Sequence, residues 1–177
     1  MDSREEEQVI KQCQQGKMEE FGRLYDKYFD KIYRFLYYKT SHRETAEDLT
    51  SDVFHKALLG IKKFKLKKGT FQAWLFSIAR NRVIDYYRTK KDVSNIDEVW
   101  GLHRQENLDR ELDNKSKLEK VHYYLSQLDG LQREVVMLRA WENMSYKEIG
   151  EILGKTEGAC KMIFLRTVKK MKTNLSL

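Results

Sequence analysis

The chain has 177 residues, 41% of them hydrophobic and 34% charged, with a mean hydropathy of −0.72 and no proline, enough for one domain or two small ones with well-solvated helical cores. A net charge of +7 and an isoelectric point near 9.2 favour an anionic partner, either nucleic acid or an acidic membrane surface. Cys13 and Cys160 lie far apart and the four histidines (His42, His55, His103, His122) do not cluster with them; no run approaches a membrane span, and the N-terminus lacks a signal-peptide core, which disfavours a disulfide framework or zinc site and fits a reduced cytosolic setting.

A short helix is expected over 4–15, stopped near Gly16. Over 17–38, Phe21, Leu24, Tyr25, Tyr28, Ile32 and Leu36 recur at helical spacing and form one apolar face. Ser41-His42-Arg43-Glu44 predicts a capping box with Ser41 as N-cap. The helix it opens should run to Leu59, with Ala46, Leu49, Val53 and Leu58 inside and Gly60 near its end. A lysine-rich loop follows, ending at Gly69. Thr70 is the expected N-cap of the next helix, over 71–89, whose inner face is marked by Phe71, Trp74, Leu75 and Ile78. These four helices read as one domain.

Residues 92–116 lack a sustained period and read as an acidic linker, with room for one helical turn at 99–102. Fully extended at about 3.3 Å per residue, such a linker reaches about 80 Å, or about 24 base pairs at 3.4 Å rise. Beyond it, helices are expected over 118–128, ending at Asp129-Gly130, and over 132–141. Ser145-Tyr146-Lys147-Glu148 is a second capping box, opening a short helix through Ile149, Ile152 and Leu153. Gly154 should cap that helix, and Thr156 should open a final one running to about Met171.

Charge is distributed in blocks. Ten lysines and arginines stand between 61 and 91 against Asp85 alone, and six between 155 and 172 against Glu157 alone. The stretch between them, 92–114, carries seven acids and two arginines. The C-terminal block coincides with helix-turn-helix organisation over 145–170: a short amphipathic helix, a glycine turn and a basic helix. The polar and small residues Thr156, Glu157, Ala159 and Lys161 at the start of that last helix suit base edges, and Arg166 suits phosphate. An ordinary helical hairpin with a solvated basic face fits the same pattern. In the N-terminal block, Lys62, Lys63, Lys65, Lys67 and Lys68 precede Phe71 and Trp74, and Arg80, Asn81 and Arg82 follow. Cations interleaved with aromatics suit single-stranded nucleic acid, although Phe71 and Trp74 lie on the apolar stripe and fit a core equally. No phosphate-binding glycine loop, metal cluster or paired nucleophile and base is present, so no catalytic residue, metal or cofactor is expected, and the chain does not read as an enzyme.

Four stretches, in this order, resemble the extracytoplasmic-function (ECF) sigma factors of the sigma-70 family. "FGRLYDKYFDKIYRFLYYKT" is similar to the opening helix of their second conserved region, and "ETAEDLTSDVFHKALLGI" to the helix that docks on the clamp helices of the polymerase β′ subunit. "FQAWLFSIARNRVIDYYR" resembles the segment that melts and reads the minus-ten promoter element, and "LDGLQREVVMLRAWENMSYKEIGEILGKTEGACKMIFLRTVKKM" the fourth region, which reads the minus-thirty-five element. The resemblance implies an all-α protein of two helical domains joined by a flexible linker: region 2 over 1–91, linker over 92–116 and region 4 over 117–177. It implies polymerase docking by Asp48, Ser51, Asp52 and Phe54. Minus-ten contacts would fall to Lys62, Lys63, Lys65, Lys67, Lys68, Arg80, Asn81, Arg82 and Arg88, unless Asp85 and Arg88 form an ion pair that braces the helix. Minus-thirty-five contacts would fall to Lys155, Thr156, Glu157, Ala159, Lys161 and Arg166. The family commonly has glutamine where Ser51 stands, valine where Cys160 stands, and basic or polar residues where Met162 and Ile163 stand. Cys160 reads most simply as a buried small apolar residue.

The implied partners are RNA polymerase core (β′ clamp helices and β flap), promoter DNA and an anti-sigma factor, with no small-molecule substrate and no membrane insertion. The implied location is the cytoplasm, at the nucleoid within holoenzyme or held at the membrane by the anti-sigma factor. A stand-alone helix-turn-helix regulator that does not engage polymerase, and a helical adaptor with incidental basic blocks, are the alternatives.

Overall fold

The computed structural model describes residues 1–66, 69–90, 124–125 and 127–175, and among these every regular element is helical. The chain divides into two compact units, the first Met1–Lys90 and the second C-terminal to it. The linker with its turn at 99–102, most of the helix expected over 118–128, and Lys67 and Lys68 lie outside the described residues; of 118–128, Tyr124 and Leu125 are helical.

In the first unit, α1 (Ser3–Gln14) starts at Asp2, whose carboxylate accepts the Glu5 amide at 2.9 Å. That bond holds the Asp2 carboxyl below its usual pKa, as an N-cap at the positive end of a helix should be held. Val9, Ile10 and Cys13 are its buried side. After Gly16 and a 3-10 turn at Met18–Glu20, α2 (Phe21–Thr40) buries Phe21, Leu24, Tyr28, Ile32, Phe35 and Leu36. Each such side chain contributes about 1.5–3 kcal/mol. Tyr25 departs from the expected stripe: it is 39% exposed and rests on the rings of Phe29 (5.1 Å) and Phe54 (4.7 Å).

The joint between α2 and α3 (Arg43–Gly60) corrects the predicted capping box. Ser41 has left-handed backbone (φ 50°) and closes α2, its amide donating to the Tyr37 carbonyl at 2.8 Å. A residue in that conformation cannot also be an extended N-cap. His42 takes the role one residue later, its Nδ1 accepting the Thr45 amide at 3.3 Å. Along α3, Ala46, Leu49 and Val53 are buried as expected, joined by Phe54 and Ala57, while Leu58 is half-buried.

After a 3-10 turn at Ile61–Lys63, Thr70 accepts the Ala73 amide at 3.2 Å and opens α4 (Phe71–Lys90). Phe71 and Leu75 are fully buried on its inner face, and Trp74 and Ile78 are half-buried. Phe71 sits between Tyr28 and Phe64, both at 5.6 Å, and Phe35 meets Phe76 edge-on at 5.3 Å. The buried Tyr87 hydroxyl donates to the Lys39 carbonyl at 2.9 Å, tying the end of α4 to the end of α2.

In the second unit, Asp129 caps α5 (Gly130–Ala140), which starts two residues earlier than expected because the Asp129 carboxylate reaches the Gln132 amide at 2.7 Å. Both bonds of the Ser145 box are made: the Ser145 hydroxyl accepts the Glu148 amide at 3.2 Å, and Glu148 accepts the Ser145 amide at 2.8 Å. They open α6 (Tyr146–Leu153), which ends at left-handed Gly154 (φ 65°). Thr156 then caps α7 (Glu157–Leu175), accepting the Ala159 amide at 3.2 Å. Leu125, Leu128 and Val136 form a buried cluster with Trp141, Phe164 and Met171 packed against it.

Candidate nucleic-acid interface

The α6–α7 turn positions the N-terminal end of α7. Ile149, Ile152 and Leu153 anchor α6 on the core, and the Lys155 amide donates back to the Gly150 carbonyl at 2.9 Å. Gly150 itself is buried, and an added Cβ there would meet the Lys155 carbonyl oxygen at 2.6 Å. The close approach needs a glycine at this point of α6. Cys160 is fully buried beneath α7, and desolvation raises its thiol pKa. Lys155, Thr156, Glu157, Lys161 and Arg166 all stand exposed, whereas Ala159 is half-buried. Thr156 already accepts the Ala159 amide, so toward a ligand its hydroxyl acts chiefly as a donor.

In the first unit, Lys62, Lys63 and Lys65 are exposed around the 3-10 turn. Their backbone is fixed from below. Phe64 is buried against Trp74 at 5.0 Å. The Gln14 side-chain amide, arriving from α1, donates to the carbonyls of Ile61 (3.0 Å) and Phe64 (2.8 Å). Phe71 and Trp74 belong to this aromatic cluster, which supports the core role for them. Sequence reasoning missed Gln14, because nothing local to 4–15 signals a contact about fifty residues away.

On α4, Asn81 and Arg88 are exposed and, seven residues apart, share one face. Arg80 is half-buried. Arg82 is turned elsewhere: it pairs with Asp52 of α3 at 2.6 Å and with Asp85 at 3.4 Å. Asp85 therefore braces Arg82, not Arg88. These groups border an open cleft of about 260 Å³ between α3 and α4, lined also by Asp48 and Tyr86. Asp48, Ser51 and Asp52 lie exposed along α3, while Phe54 is only 4% exposed and acts as the floor under Tyr25 and Phe29. Tyr25, Phe29, Tyr33 and Tyr37 form a ladder of neighbouring rings along α2, at centroid spacings of 5.1, 6.2 and 6.1 Å. The periodicity reading took Tyr25 alone from this ladder; the spacing of four residues was the available signal.

Among the described residues no group of three or more His, Cys, Asp or Glu side chains is placed to hold a metal ion. Nor, among them, is any helix long and apolar enough to cross a membrane.

Comparison with known proteins places these features. Residues 24–93 match the family model for sigma-70 region 2, and residues 118–171 that for sigma-70 region 4. The chain is 34% identical over 172 residues to the ECF RNA polymerase sigma factor BldN of Streptomyces coelicolor, covering 93% of this chain and 63% of that one. It is 31% identical over 157 residues to the RNA polymerase sigma factor YlaC of Bacillus subtilis, covering 86% and 90%. The fold is shared with the sigma factor RpoE of Bartonella quintana, solved with the anti-sigma factor NepR, at a TM-score of 0.69 and 23% identity over 89% of this chain and 97% of that one.

Proposed function

Because the chain belongs to the sigma-70 family, in its extracytoplasmic-function branch, we propose that it is an alternative sigma factor, binding bacterial RNA polymerase core and directing transcription initiation at a subset of promoters. The observation that carries this is the ordered pair of region 2 and region 4 matches on a chain of two helical units. The stand-alone regulator is not favoured, since it leaves the region 2 match over 24–93 without a role.

In this reading residues 1–91 engage polymerase and open the minus-ten element, and 117–177 read the minus-thirty-five element. Asp48, Ser51 and Asp52 present the docking face to the β′ clamp helices, with Phe54 supporting it from within. Lys62, Lys63 and Lys65, with Asn81 and Arg88, hold the opened strand. Separating a base from its stack costs a few kcal/mol, and phosphate contacts from this cationic loop offset it. The chain supplies recognition and strand separation, and polymerase supplies the chemistry. An anti-sigma partner, as in the RpoE–NepR complex, and a cytoplasmic location follow from the same reading.

The test is transcription in vitro from sheared genomic DNA of the source bacterium with core polymerase plus this chain. Discrete new start sites sharing two upstream motifs are expected. Absence of new starts together with failure to co-purify with core enzyme would refute the proposal.

A further inference from the structure

We infer that Met162, with Leu165 beside it, reads the methyl groups of thymines in the major groove. This rests on the reading of α7 as the helix that contacts the minus-thirty-five element. The inner pole of α7 is fixed by Cys160 and Thr167, which are 0% and 2% exposed. At about 100° per residue, the pole opposite them carries Gly158, Met162, Leu165 and Lys169. Met162 and Leu165 are 47% and 49% exposed, two of the few large apolar side chains the described residues leave in solvent. Gly158 adds no bulk one turn before Met162, and the space beside its Cα is open for 4 Å.

The surroundings choose the occupant. Lys161, Arg166 and Lys169 are exposed around the two apolar side chains, and Lys155 precedes them. Glu157 is the one acid in that stretch. A surface with a cationic rim and an apolar centre matches a groove whose edges are phosphates and whose floor carries methyl groups. Of the four bases only thymine presents an apolar group in the major groove, its C5-methyl. A thioether and an isobutyl group set against any other base edge would bury a donor or acceptor unpaired. Side chains three apart on a helix are about 5–6 Å from each other, within reach of thymines one or two steps apart at 3.4 Å rise.

The experiment uses holoenzyme reconstituted from this chain and bacterial core polymerase. Duplexes randomised over the upstream element are selected for binding, and each thymine of the selected element is then replaced by deoxyuridine, which removes only the methyl. The expected result is a loss of about three- to fourfold at one or two positions, the worth of about one methyl. That loss should disappear in Met162→Ala and shrink in Leu165→Ala. Both side chains are exposed, so far-UV circular dichroism and stability should match the parent. Indifference to uracil at every position, or an unchanged penalty in Met162→Ala, overturns the inference while leaving α7 as a DNA reader. Weakened assembly with core polymerase and no uracil effect overturns it in favour of a protein contact. Failure to enrich any upstream sequence overturns the reading of α7 as well.

Discussion

Replacing Gly150 by alanine should loosen the helix-turn-helix, against the usual effect of that substitution. Within a helix, glycine to alanine normally gains about 0.8–1 kcal/mol. At Gly150 the new Cβ would lie 2.6 Å from the Lys155 carbonyl oxygen, about 0.4 Å inside the 3.0 Å limit that real Cβ atoms keep, and the neighbour is backbone. Relief requires α6 and the turn to separate. That disturbs the 2.9 Å bond from the Lys155 amide to the Gly150 carbonyl, worth about 1 kcal/mol, and adds an overpacking cost of about 1–3 kcal/mol. The net is a loss of about 1–3 kcal/mol. Gly158→Ala is the matched control, since nothing lies within 4 Å of a Cβ there, and it should be neutral or stabilising by up to about 1 kcal/mol. Hydrogen exchange resolves the two units within one chain. Gly150→Ala should raise the opening constant of α6 and α7 amides by about five- to a hundredfold or more and leave α2–α4 unchanged. Equal or slower exchange in α6 and α7 would refute the steric reasoning.

Gln14→Ala should cost about 1–3 kcal/mol, because the Phe64 carbonyl loses the Gln14 donor and the Ile61 carbonyl keeps only the Phe64 amide; protease sensitivity around Lys62 and Lys63 should rise, and an unchanged digestion pattern would count against the anchor. Burial pushes the Tyr87 phenol up to about 12, so the folded state keeps a proton that the unfolded chain loses near pH 10. Stability should therefore be intact below pH 10 and fall between about pH 10 and 12, by up to about 3 kcal/mol; Tyr87→Phe should lack this fall in alkaline denaturation. Asp52→Asn breaks an exposed pair with Arg82 and should cost the fold less than about 1 kcal/mol. It should nonetheless weaken assembly with core polymerase, measured by competition for core; undiminished assembly would remove Asp52 from the docking face.

Much of the fold is specified by local signals. The Ser145 box, Gly154 and Thr156 each depend on residues within four positions, and all three are found as expected. The Ser41 box failed for a reason equally local but competitive: one residue had two helix ends to serve, and the left-handed closure of α2 took it. What pattern alone could not show was long-range pairing. Arg82 reads as a nucleic-acid ligand from its basic neighbours, and only the packing of α4 on α3 puts Asp52 beside it. Phe54 reads as a contact residue from its place in a matching stretch, and only the fold of α2 over it takes it out of solvent. Met162 and Leu165 carry the opposite lesson: apolar in sequence, they are displaced to the surface because Cys160 and Thr167 hold the inner side of α7.

The anchorage of the lysine turn by Gln14 gives α1 a leverage that its place at the start of the chain would not suggest. Two amide hydrogens on one side chain transmit the position of α1 to the backbone that carries Lys62 and Lys63. A tag, truncation or bound protein that tilts α1 would shift the root of that turn by a similar distance. Such a change would register as a defect at a site some fifty residues downstream, with every cation there intact.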